Sequence, residues 1–149
     1  MTIDGVSPGC ELDEALAVLG PASKKEPILD DDLTVYTYPN SLSLVVGPNN
    51  VVREIHGGAV LATSDGSVVR LKMSQDDIME ILGAPTVTRM GDYCTFEVDD
   101  IGEFVPHPLS PGPIELSYVS ETSECRISFF EGPFASRFSL RVRPDRSPT

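Results

Sequence analysis

Residues 15–21 read Ala15-Leu16-Ala17-Val18-Leu19-Gly20-Pro21, and residues 78–85 read Ile78-Met79-Glu80-Ile81-Leu82-Gly83-Ala84-Pro85. Leu19-Gly20 and Leu82-Gly83 stand 63 positions apart. Each stretch follows an apolar stripe at helical spacing. Leu12, Ala15, Leu16 and Leu19 fall at i, i+3, i+4 and i+7, and Ile78, Ile81 and Leu82 form a second such face. A glycine then ends each helix and a proline follows within two residues, because glycine tolerates the turn that stops a helix and proline cannot continue it. Acids crowd both first turns, where the helix dipole favours them, and Ser74 with Asp77 three residues on has the form of a capping box.

Strand patterns surround these helices. Leu33–Tyr38 alternates, Leu42–Val46 is β-branched, and Val51–Ile55 follows a turn at Asn49-Asn50. Ser64-Asp65-Gly66 marks a hairpin between residues 59–62 and 67–71. In the second half, Tyr93–Val98 matches the aromatic strand of the first, and strands over 113–118 and 124–130 complete the set. Duplication of helix, stop and strand predicts an α+β protein of two tandem copies of a short helix plus antiparallel sheet. The expected division is residues 1–57, residues 58–133 with an inserted proline-rich loop at 99–112, and a C-terminal edge strand with tail at 134–149. That strand alternates Phe138, Leu140 and Val142 with Arg137, Ser139, Arg141 and Arg143, and its arginines read as guards of a sheet edge.

The unit of short helix, Leu-Gly-x-Pro, aromatic strand, hydrophobic strand and Val-Val-x-x-Ile resembles the repeat of the β-lactamase-inhibitor-protein and outer-membrane-assembly lipoprotein (small protein A) group. The matching pieces are Leu19-Gly20-Pro21, Tyr36, Leu42–Val46 and Val51–Ile55, then Leu82–Pro85, Tyr93–Phe96 and Ile127–Phe130. No secretion signal or lipobox cysteine accompanies them. The resemblance implies non-catalytic protein binding through a sheet face and its loops.

Composition narrows the function. The 149 residues carry a formal net charge of −12. Residues 1–57 contribute −6, residues 58–133 −9 and residues 134–149 +3. An acidic body argues against nucleic acid and anionic membrane, which are bound by lysine and arginine. It predicts a basic protein partner, met through an acidic and aromatic face: Asp30, Asp31, Asp32, Tyr36 and Tyr38, with Asp99, Asp100 and His107 of the long loop as a second contact. Three cysteines, Cys10, Cys94 and Cys125, fit no disulfide framework, and the start of the chain has no apolar leader pattern, so a cytoplasmic protein is expected.

Catalytic and metal sites are not expected. His56 and His107 have no ligand at metal spacing, Asp30–Asp32 lacks the alternation of a calcium loop, and no glycine-rich phosphate loop precedes a helix. The reading is an inhibitor or immunity-type binding module without cofactor. The alternatives are a small enzyme or ligand-binding domain with a pocket under residues 99–112, and a structural homo-oligomer, such as a homodimer, paired through its edge strand.

Overall fold

A computed structural model describes residues 1–28, 32–93, 96–98, 100–106 and 110–143. The elements run β1 (Thr2–Ile3), α1 (Leu12–Leu19), β2 (Lys24–Ile28), β3 (Leu33–Thr37), β4 (Ser43–Val46), β5 (Val52–His56), β6 (Val60–Ala62), β7 (Val68–Arg70), α2 (Gln75–Leu82), β8 (Val87–Tyr93), β9 (Phe96–Val98), β10 (Phe104–Pro106), β11 (Ser110–Val119), β12 (Ser123–Ser128) and β13 (Arg137–Val142). Eight strands form one antiparallel sheet in the order β2-β3-β4-β5-β13-β12-β11-β8. A small sheet runs β1-β6-β7, and β9 pairs with β10.

This architecture overturns the expected α+β class. Among the described residues the protein is mostly β: strands far outweigh the two helices, each only eight residues long. Strands from residues 1–57, 58–133 and 134–149 share the large sheet, and one apolar cluster serves them all. Extra strand comes from stretches with no alternation to read. β2 is Lys-Lys-Glu-Pro-Ile, exposed throughout, and is held by backbone pairing to β3. β10 and the start of β11 occupy 104–106 and 110–112, within the segment expected to be loop.

The C-terminal strand is also corrected. β13 is central, paired with β5 on one side and β12 on the other. Its alternation reports one buried face, which edge and central strands of a one-sided sheet share. The true edges are β2 and β8.

The core lies between the large sheet and a layer made of the helices and the small sheet. Leu44, Ile55, Leu140 and Cys125 stand in register across β4, β5, β13 and β12, all buried. Leu12, Ala15 and Ile78 from the helices and Ile3, Leu61 and Val69 from the small sheet close over them. The two helix ends are built alike. Gly20 and Gly83 both take φ near +80°, a conformation that costs other residues the clash of a Cβ. The Tyr38 hydroxyl donates to the Gly20 carbonyl at 2.9 Å, and the Tyr118 hydroxyl to the Gly83 carbonyl at 3.0 Å. Leu12 N–H donates to Asn50 O at 2.8 Å, and Gln75 N–H to Pro133 O at 2.9 Å. Leu19 and Leu82 are both half-buried against the core. Ser74 caps α2, its hydroxyl accepting from Asp77 N–H at 3.2 Å.

Candidate binding face

With one sheet face in the core, period-2 alternation delivers the other residues to the opposite face. There Thr37, Ser43, His56, Ser139, Arg126 and Ser117 stand side by side across β3, β4, β5, β13, β12 and β11. The adjacent row is Val35, Val45, Glu54, Arg141, Glu124 and Val119.

Two polar networks join these rows. In the first, Glu54 Oε1 lies 3.2 Å from His56 Nε2, and Ser139 Oγ lies 3.0 Å from His56 Nδ1. An ionised carboxylate only accepts, so Nε2 carries the proton towards Glu54, and in the neutral ring Nδ1 accepts from the Ser139 hydroxyl. In the second, Glu124 accepts from Arg126 Nε at 2.8 Å, Arg141 Nε at 2.9 Å and Arg141 Nη2 at 2.6 Å. Burial pushes the Glu124 carboxyl up, but the hydrogen bonds from Arg126 and Arg141 and their charge outweigh it and hold it below its ordinary value. The same hydrogen bond raises Arg126 in turn. The result is a fixed lattice of both charges, in which each long side chain is tied at the sheet surface.

The expected contact residues that are described do not assemble. Tyr36 and Tyr38 point into the core, 9% and 7% exposed, so they offer no aromatic face. Alternation placed them on one side correctly, but that side is the buried one. The Tyr38 phenol is raised by burial and then by Tyr36 beside it, and Lys25 Nζ sits 5.5 Å from the Tyr36 ring centre. Asp32 is exposed in the β2–β3 turn of the large sheet, and Asp100 in the turn of the separate β9–β10 pair. Asp30, Asp31, Asp99 and His107 lie outside the described residues. Glu54, Glu124, Arg126, Ser139 and Arg141 were not singled out as site residues. Their signal was the strict alternation of Arg137–Arg143 and of Glu54 with His56.

No group of three or more His, Cys, Asp and Glu side chains gathers among the described residues. Cys10 and Cys125 are free thiols; burial pushes Cys125 up to about 12. No described helix is long and apolar enough to cross a membrane.

No family model and no curated protein matches the chain. One solved structure is similar: an extracellular protein containing a SCP domain from Bacillus anthracis, at 12% identity and a TM-score of 0.58. The alignment covers 96% of this chain and 48% of that one, so the chain spans about half the length of its neighbour. At this identity the likeness speaks to the fold alone.

Proposed function

We propose that the protein is a non-catalytic binding module that holds a protein partner against the open face of its large sheet. The observation that carries this reading is the pre-ordered polar lattice of Glu54, His56, Ser139, Glu124, Arg126 and Arg141 on that face. Side chains already fixed lose little entropy on docking, which favours binding. The resemblance to the β-lactamase-inhibitor-protein and small protein A group implies the same use of a sheet face. An inhibitor or immunity-type role is the specific form proposed. The net charge of −12 favours a basic partner at the stage of approach. On the face itself, Arg89, Arg126, Arg137 and Arg141 against Glu54, Glu115 and Glu124 call for a partner surface of both signs. Free Cys10 and Cys125 support a cytoplasmic setting, while the structural neighbour is an extracellular protein.

The Ser139–His56–Glu54 chain favours a second reading, hydrolysis at Ser139. Against it, β13 is paired on both sides, so its backbone N–H groups serve the ladder and do not converge on an oxyanion. Arg126 and Arg141 are held by Glu124. The test places a bulky residue in the lattice. Ser139→Trp should lose a partner captured by the wild type, while Asp13→Asn on α1 keeps it. Equal capture by Ser139→Trp would refute the docking face. Covalent labelling of Ser139 by a fluorophosphonate would instead establish the enzyme.

A further inference from the structure

At one end of the open face, the β4–β5 turn and the end of β13 enclose a groove of about 490 Å³. Gly9, Gly47, Asn49, Val51, Val142 and the charged residues Arg53, Glu54, Arg141 and Arg143 line it. Three guanidinium groups thus face one carboxylate, in a chain whose 11 Lys and Arg are outnumbered by 23 Asp and Glu. A concentration of one sign against the overall charge calls for an explanation beyond solubility.

Arg53 is placed there by the backbone. Val46 pairs with Val52 and Val45 with Glu54, so Arg53 is the extra residue of a β-bulge and has no cross-strand neighbour on β4. Bulges re-aim a side chain out of the alternation. Gly47 leaves the room for it: a Cβ there would lie 2.5 Å from Arg53 Nε and 3.3 Å from both Cδ and Cζ. The other two arginines are engaged. Arg141 is committed to Glu124, and Arg143 Nη1 donates to Ser120 O at 2.8 Å. Glu54 is turned to His56. Arg53 is exposed and has no hydrogen-bond or ion-pair partner among the described residues.

We infer that this groove is a carboxylate-binding subsite, in which Arg53 takes an Asp or Glu side chain of an extended peptide segment. The guanidinium fork matches a carboxylate with two parallel hydrogen bonds. Arg141 and Arg143 add field without giving up their own partners, and Asn49 supplies a neutral amide. Val51, Val142 and Gly9 offer surface to the aliphatic part of the segment. The volume suits several residues rather than a lone ion. Phosphate carries more negative charge than a carboxylate and is repelled more strongly by Glu54. The inference rests on the docking reading in that Glu54 and Arg141 belong to both the groove and the face, but its test needs no partner.

The test follows arginine side-chain Nε resonances of the labelled protein during titration with acetyl-Ala-Glu-Ala-amide, with its Gln counterpart and with inorganic phosphate. The Glu peptide should shift Arg53 Nε in a saturable way, and the Gln peptide should bind about tenfold more weakly or worse. In Arg53→Gln, which removes that reporter, the accompanying saturable shifts of Arg141 and Arg143 Nε should be abolished, and Gly47→Ala should abolish the response with Arg53 still present, because the added Cβ displaces it. Arg70→Gln, on β7 and outside both the groove and the open face, should leave it intact. Equal binding of the Gln peptide, tighter binding of phosphate, or an unchanged response in Arg53→Gln would overturn the inference. Peptide binding together with failure of Ser139→Trp to affect partner capture would leave the subsite standing and remove the docking face.

Discussion

Tyr38 and Tyr118 make the same bond to the same kind of atom, and their environments differ in one respect that fixes an order of effects. Each hydroxyl donates to the carbonyl of the glycine that ends a helix. Tyr38 is buried and Gly20 half-buried, whereas Tyr118 is half-buried and Gly83 exposed. Tyr→Phe removes a neutral hydrogen bond with a net value of about 0.5–1.5 kcal/mol, and the cost rises when the orphaned carbonyl is shut away from water. Tyr38→Phe should therefore cost about 1.5 kcal/mol and Tyr118→Phe about 0.5 kcal/mol. For a chain of this size those losses lower Tm by about 3–6 °C and about 1–2 °C. Counted along the sheet, β3 and β11 are five strands apart, roughly 24 Å, so the double variant should be additive within about 0.5 kcal/mol. Urea unfolding followed by far-ultraviolet circular dichroism reads all three, with the slope unchanged. A larger loss in Tyr118→Phe than in Tyr38→Phe, or no loss in either, would refute the assignment of these hydroxyls as ties between sheet and helix ends.

Glu124→Gln should cost about 1–3 kcal/mol near neutral pH, since charged hydrogen bonds from two arginines are lost. The folded-state carboxyl is depressed, so its contribution is present above the ordinary glutamate value of 4.5 and fades as pH falls through the folded one; the gap to wild type in urea should close on acidification. Cys125, buried and pushed up to about 12, should resist iodoacetamide in the native protein and react only on unfolding, as peptide mapping by mass spectrometry will show; labelling at native conditions would contradict its burial.

The helices were legible because three signals agreed at each: an apolar stripe, acids at the start and glycine with proline at the end. Leu12–Leu19 and Gln75–Leu82 follow within a residue or two. The strands β3, β4, β5 and β12 were legible because one face is buried and the pattern alternates. β2 and β8 were not, because they are held by backbone pairing at the sheet edges and their exposed side chains carry no pattern. Fold class failed for that reason. Strands without a buried face look like loop, and counting them as loop inflated the weight of two short helices.

Net charge did not locate charge on the fold. A total of −12 says how much acid there is and nothing of where it stands. Glu11, Asp13, Glu14, Asp76, Asp77 and Glu80 crowd the exposed sides of the two helices, where the helix dipole favours them in the first turns. The open sheet face carries arginine paired with glutamate instead, and that balance follows from the ladder. Opposite charges on neighbouring strands stabilise one another at a separation of about 5 Å, and like charges there repel. Excess acid and paired charge therefore fall on different sides of this molecule. The field of the acidic helix side is screened beyond a Debye length of about 8 Å at physiological salt and does not reach across the sheet. Under the docking reading proposed above, the open face, built from short-range pairs, would select a partner by the pattern of signs rather than by their sum.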